Sequence, residues 1–348
     1  MPNRPEVNPA VGERAVTLRD VADRSGVAVS TVSRVLNNQT EGFSVRSETR
    51  ERVLDAAKAL NYRPDPILRS MRAKRTNLIA ILGISDFGTS VLGSTEQALN
   101  AMMNSLLEKG YQLCTLPRSL KEDLYQPPRW RVDGAVVIDC LESGRLAPLD
   151  ASGIPYVSLN GVAGRNGVSV AVDDESGTRE ALHHLMVLGH RRIAFVMPDE
   201  HIKPHPSIQA RFSAYRSALQ QWGINPLSAE LPSPARAIDV ISEQVVRGGA
   251  TALLVYHHVM TVKLLRAARV AGLSVPHDVS MVCFNDTFPA ADLVPSLTAM
   301  ALPSEEMGRT AARLLAERLE GRRHTADEVL LSEKLVIRES TAPPRGDA

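Results

Sequence analysis

Residues 17–37, Thr-Leu-Arg-Asp-Val-Ala-Asp-Arg-Ser-Gly-Val-Ala-Val-Ser-Thr-Val-Ser-Arg-Val-Leu-Asn, predict two short helices around a glycine turn. Thr17 precedes an apolar-periodic stretch (Leu18, Val21, Ala22). Asp20 stands three residues on, the spacing of a capping box. Gly26 can take the left-handed backbone that a tight helix–helix turn requires. Beyond it Val32, Val35 and Leu36 share an inward face, leaving Val29, Ser30, Thr31, Ser33, Arg34 and Asn37 at or near the outside. A helix with such short side chains can approach a DNA major groove closely, and its arginine can reach guanine O6 and N7. These residues alone also fit an ordinary helical hairpin whose serines and threonines are merely solvated.

Downstream, residues 47–60 predict an amphipathic helix with Val53, Leu54, Ala57 and Leu60 as its apolar stripe and acidic residues in its first turn. That helix should close a small core against the hairpin, capped by Ser44 or Ser47. Pro64-Asp65-Pro66 then halts the chain and can start another helix. Residues 67–73 are too few for a helix stable on its own in water. From Leu78 the pattern changes to apolar runs alternating with amphipathic stretches: 78–82, 136–138, 156–159, 193–196, 252–255 and 281–284 read as buried parallel strands. Glu96 to Lys109 reads as a helix ended by Gly110. Alternation of this kind implies doubly wound α/β layers, with ligands at the carboxyl ends of the strands.

The formal net charge of +1 hides an asymmetry: residues 1–76 carry 14 Lys/Arg against 9 Asp/Glu, and residues 77–348 carry 26 against 30. The positive excess thus belongs to the helical segment, where a polyanion needs it, although an excess of this size also suits a solvated surface. Three cysteines, Cys114, Cys140 and Cys283, are too few and too scattered for a disulfide framework or a spaced zinc site. They suit a reducing cytosol. The first 15 residues lack the apolar stretch of a signal peptide, and no run of 18 apolar residues exists to span a membrane. The expected location is therefore cytoplasmic. His183-His184, His201, His205 and His257-His258 invite a metal reading, but adjacent histidines diverge in direction and no cysteine or acidic cluster stands at zinc spacing. No nucleophile elbow or phosphate loop accompanies the Ser, His and Asp residues, and Gly248-Gly249 reads as a helix-ending turn. The expectation is a non-enzyme without cofactor or metal.

Thr31–Asn37 is followed by Thr-Arg-Glu-Arg-Val at 49–53, Leu-Asn-Tyr-Arg-Pro at 60–64 and Leu-Arg-Ser-Met at 68–71. Val-Asp-Gly-Ala-Val-Val at 132–137, Asp-Asp-Glu-Ser-Gly at 173–177, His-Leu-Met-Val-Leu-Gly-His-Arg-Arg-Ile-Ala at 184–194, Asn-Asp-Thr at 285–287 and Arg-Glu-Ser-Thr at 338–341 continue the series. From about residue 16 to 342 the chain resembles the lactose/galactose repressor family. The resemblance implies an all-α helix-turn-helix headpiece and an α/β periplasmic-binding-protein-like core of two doubly wound subdomains. The expected organisation is a tail at 1–15, headpiece at 16–63, hinge helix and linker at 64–76, core at 77–342 and loose tail at 343–348. Within the core, 77–160 with 299–325 is expected to form one subdomain and 161–298 with 326–342 the other, the chain crossing three times beside a ligand cleft.

By the same resemblance the partners are double-stranded operator DNA, a small-molecule effector (a sugar or related metabolite) and a second copy of the chain. The seven residues after Thr341 are too few for a tetramerising heptad coil, so a homodimer is expected. Val29, Ser30 and Arg34 are expected at base edges. Leu18 joins the DNA contacts, and Thr17, Thr31, Ser33, Asn37 and Thr49 are expected to position phosphates. In the hinge, Met71 matches the apolar residue that wedges into the minor groove, and Leu68 replaces the usual alanine beside it. Effector contacts are implied for Ser85, Arg211, His257, His258 and Asn285. Here the chain departs from the family pattern: His-His stands for Asn-Asp at 257–258, Asn285 for aspartate, and the sugar-stacking tryptophan has no counterpart. Arg211 also fits an inter-helix ion pair, and His257 and His258 also fit satisfied polar groups at a strand end. A soluble small-molecule-binding protein with a vestigial headpiece is the alternative for the whole chain.

Overall fold

The structure is a computed structural model that describes residues 16–36, 45–62, 75–83, 93–116, 124–128, 130–197, 205–228, 232–322 and 327–345. The chain divides into two units, Met1–Thr76 and Asn77–Ala348.

The first unit contains helices α1 (Leu18–Ser25), α2 (Val29–Leu36) and α3 (Ser47–Ala59). The capping box forms as the sequence predicts. The Asp20 amide donates to Thr17 Oγ1 at 3.3 Å, and the Thr17 amide donates to Asp20 Oδ2 at 2.7 Å. Gly26 ends α1 at φ 63°, the left-handed region. Arg52 on α3 reaches back to donate to the Ser25 carbonyl at 2.8 Å, tying the third helix to that turn. The core is Val21, Ala22, Val32, Val35, Val53, Ala56 and Ala57.

Three local expectations change. Leu54 is 46% exposed, and Ala56 takes its place inside. The buried stripe of α3 runs through Val53, Ala56, Ala57 and Leu60, whose spacings of three and four share a face that Leu54 does not. Ser33 is 9% exposed, because it lies three residues from Leu36 on the inward flank of α2. The N-cap residue of α3 is Arg46, which makes no side-chain cap bond, and Ser47 is the first helical residue; Ser44 lies outside the described residues.

In the second unit, the first lobe has strands β1 (Leu78–Leu82), β2 (Gln112–Leu116), β3 (Gly134–Ile138), β4 (Tyr156–Leu159) and β5 (Gly167–Val172). Its helices are α4 (Ser94–Glu108) and the short α5 (Ala147–Ser152). The second lobe follows with α6 (Asp174–Val187), β6 (Ile193–Val196), α7 (Pro206–Gln221), α8 (Ala237–Val240), which continues as a π-helical stretch to Arg247, β7 (Ala252–Val255), α9 (His258–Val270), β8 (Ser280–Phe284) and β9 (Thr298–Ala301). α10 (Ser304–Leu319), β10 (Glu328–Leu331) and β11 (Lys334–Val336) complete the order.

The first sheet is parallel throughout, in the order β10-β5-β4-β3-β1-β2. The second runs β11-β9-β8-β7-β6, with only β11 antiparallel. Each sheet has apolar packing on both faces, as parallel strands require. Met102 and Leu315 cover one side of the first sheet and Leu146 and Leu149 the other. Ile241 and Leu264 cover one side of the second, with Phe212 and Tyr215 on the other.

Strand pairing moves the expected changeovers. β5 and β10 both pair in the first sheet, and β9 pairs in the second. The three crossings therefore fall at 172–174, 301–304 and 331–334 rather than near 161, 299 and 326. Half-exposed strands such as β10 and β11 give a weak apolar signal, and only backbone pairing places them.

Candidate DNA-reading face and effector cleft

On α2, Val29 is 42% exposed, Ser30 and Arg34 are also exposed, and Thr31 is half-buried. Thr49 is half-buried in the first turn of α3, and Leu18 packs against the headpiece core. The Thr17 hydroxyl is engaged in the cap, 2.6 Å from Asp20 Oδ2. The buried Ser33 leaves the set of outward groups. The α2 face therefore offers Val29, Ser30 and Arg34 together, a small apolar group, a hydroxyl and a five-donor guanidinium. Asn37, Leu68, Met71 and Ser85 lie outside the described residues.

The second unit gathers polar residues just beyond the carboxyl ends of its strands. Asp139 follows β3 at φ 48°, Asn160 follows β4 at φ 55° and Asn285 follows β8 at φ 69°. Asn and Asp enter this left-handed region more readily than other non-glycine residues, because their short polar side chains bond locally. Asn160 Nδ2 donates to Asp139 Oδ1 at 2.8 Å. From the other lobe, His205 caps α7: its Nδ1 accepts from the Ser207 amide at 3.2 Å. That acceptor role leaves the ring proton on Nε2, which donates to the Asn160 carbonyl at 3.3 Å across the lobes. Ser207 Oγ lies 2.8 Å from the Tyr256 hydroxyl, extending the network to the end of β7.

His257 and His258 both have partners. His257 Nδ1 accepts from the Val259 amide at 3.2 Å and caps α9, and its ring stacks on His258 at 4.4 Å between centroids. His258 is buried with its ring 3.3 Å from Thr287 Oγ1. Burial holds its imidazole below the ordinary histidine range, against the opposing pull of Asp286. Asp286 itself accepts two bonds from Arg338, at 2.7 and 2.8 Å.

Arg211 is 3% exposed and fully engaged. Its Nε donates to Asp174 at 2.7 Å, Nη2 to Glu333 at 3.1 Å and Nη1 to the Tyr256 carbonyl at 3.2 Å. The Phe284 ring covers one face of the guanidinium at 3.8 Å. Burial pushes the Glu333 carboxyl up to about 7, with Arg211 pulling the other way. Of the expected effector residues in the described set, His257, His258 and Asn285 thus stand at strand ends, and Arg211 lies beneath them in an ion-pair cluster. Asp139, Asn160, His205, Ser207 and Tyr256 form a hydrogen-bonded chain between the strand ends of the two lobes. Asp139 and Asn160 directly follow apolar runs, a legible signal; Glu333, 122 residues from Arg211, carries none.

This arrangement of hydrogen-bonding groups is suited to holding a small ligand between lobes. Among the described residues no cluster of His, Cys, Asp or Glu could hold a metal ion, and no helix is long and apolar enough to cross a membrane.

Comparison with known proteins places both units. Residues 17–65 match bacterial regulatory proteins of the lacI family, and residues 182–341 match a periplasmic binding protein-like domain. The HTH-type transcriptional repressor PurR of Edwardsiella ictaluri is 30% identical over 94% of this chain and 97% of its own length. The HTH-type transcriptional regulator DegA of Bacillus subtilis is 28% identical over 94% and 98%. A lac repressor dimer bound to operator and the anti-inducer ONPF is similar with TM-score 0.76 and 25% identity, covering 94% of this chain and 100% of that one. A complex of the transcriptional regulator CelR with cellobiose is similar with TM-score 0.64 and 28% identity, over 93% and 99%.

A helix-turn-helix unit ahead of a periplasmic-binding-like core defines a DNA-binding transcriptional regulator rather than an enzyme. The chain belongs to the lacI family of bacterial regulatory proteins.

Proposed function

We propose that this regulator is a cytoplasmic repressor that binds a near-palindromic operator as a homodimer, its affinity set by a small-molecule effector held between the two core lobes. The observation that carries this reading is the outward set Val29, Ser30 and Arg34 on α2, which follows the Gly26 turn that ends the Thr17-capped α1. Val29, Ser30 and Arg34 read base edges in the major groove. Leu18, Thr31 and Thr49 help seat the helix, Asn37 positions phosphate, and Leu68 and Met71 engage the minor groove at the operator centre.

Effector contacts come from the strand-end residues Asp139, Asn160, His257 and Asn285, with Ser85 contributing and His258 and Arg211 supporting from beneath. The effector changes DNA affinity only by favouring one lobe arrangement over another. The domain boundaries of the regulator follow the two units, with the hinge between residues 64 and 76.

Selection from a random duplex pool by the full chain tests the reading. Enrichment of a near-palindromic sequence is the expected result. Retention of the pool without sequence preference would instead favour a ligand-binding protein with a vestigial headpiece. A metabolite screen by thermal shift tests the cleft separately, since a ligand of the native state raises its stability.

A further inference from the structure

The cleft floor of the second lobe sets one guanidinium against two carboxylates. Asp174 takes Arg211 Nε and Glu333 takes Nη2, while the Tyr256 carbonyl takes Nη1 and Phe284 covers one face. The Glu333 side chain has no exposed surface, and its Oε2 has no hydrogen-bond partner. It packs on the first turns of α6, where a Cβ at Gly177 would collide with the carboxylate. Asp173 and Glu180 add negative charge near Glu333. Arg338 is held in a two-bond pair by Asp286. On the facing lobe the strand end presents another carboxylate, Asp139.

We propose that Asp174 and Glu333 are specificity-determining residues that act as an anion filter: by neutralising Arg211 in advance, they make the cleft take an uncharged, hydroxyl-bearing effector and refuse phosphorylated or carboxylated ones. This rests on the reading that the cleft binds an effector. A family-matched arginine in a ligand cleft would otherwise be the natural receptor for a phosphate or carboxylate. Here an incoming anion would have to displace a carboxylate and leave it buried without its partner, a costly outcome. It would also meet the buried charges of Asp174 and Glu333, which water screens poorly. A hydroxyl group faces neither obstacle and can donate to Asp139 and to the strand-end carbonyls. Asp174 and Glu333 act through Arg211 and are positioning residues. Their signature is anion selectivity, which a merely structural role would not move.

The test uses the full chain at pH 8, above the value of about 7 to which the Glu333 carboxyl is raised, and at constant ionic strength, with inorganic phosphate, gluconate and chloride as probes followed by thermal shift and calorimetry. Wild type is expected to respond to phosphate and gluconate no more than to chloride. Glu333→Gln, and independently Asp174→Asn, should each bind phosphate at least about tenfold more tightly than wild type, as removing a close like charge in a poorly screened site implies. Stabilisation of wild type by either anion beyond chloride overturns the filter. So does an unchanged anion response in both variants. Failure of the metabolite screen would count against the effector reading alone, since the phosphate comparison between wild type and variants needs no effector.

Discussion

The headpiece buries Val21, Val32 and Val53 and turns Ser30 and Arg34 outward, whereas the second lobe of the core buries Arg211 and Glu333 themselves. In the first region an apolar core exists so that polar groups can remain solvated and meet a partner. In the second, charged groups are removed from water and must satisfy one another. The two regions should therefore respond in opposite ways to loss of a polar side chain: slight change in stability for the headpiece face, severe loss for the core.

The largest contrast is expected from Arg211→Ala. It leaves Asp174 and Glu333 without their cation and should destabilise the core by about 3–5 kcal/mol. Urea unfolding followed by fluorescence is a suitable readout, because Trp130 and Trp222 both belong to the second unit. A loss under about 1 kcal/mol, the scale of a surface pair, would break the comparison.

Glu333 sharpens it through pH. Its carboxyl is raised to about 7 from an ordinary value of 4.5, so over that window the folded chain keeps a proton that the unfolded chain has released. Core stability should fall as pH rises from about 4.5 to about 7, by roughly 3 kcal/mol at most, and Glu333→Gln should abolish that slope. His190 has the opposite sign. Burial holds its imidazole below the ordinary histidine range, so its contribution is lost as pH falls through the unfolded histidine value. The urea midpoint measured across pH in wild type and Glu333→Gln separates the two.

In the headpiece the costly change is apolar. Val32→Ala should remove about 2 kcal/mol of buried contact. Hydrogen exchange should show faster opening of α1–α3 while the tryptophan signal of the core stays unchanged. Thr17→Ala, which deletes the cap, should cost about 1 kcal/mol by the same measurement.

The two regions also differed in how much their sequence disclosed. In the headpiece the cap, the glycine turn and the apolar spacing are local patterns, and they point to α1, α2 and α3. Leu54 and Ser33 were misplaced because each stands at the margin of a helical stripe, where a one-residue step decides the face. In the core the central apolar runs identified β1, β3, β4, β6, β7 and β8, and Asp139 and Asn160 directly follow two of them. The edge strand β10 has an alternating exposed and half-buried pattern with little apolar signal, so its sheet could not be read. The Asp174–Arg211–Glu333 cluster depends on contacts 37 and 122 residues apart, which no local pattern encodes. The resemblance singled out Arg211, but not the two carboxylates that define its chemistry.

The central claim, that an outward polar face on a buried apolar scaffold reads DNA sequence, is tested most directly by Arg34→Ala. Binding of wild type and variant to the selected operator and to substituted duplexes should be measured at several salt concentrations, beside headpiece stability. The account predicts unchanged stability and a loss of roughly 1–3 kcal/mol of discrimination at one base pair in each half-site, with other positions still read. Full operator discrimination retained in Arg34→Ala would contradict it.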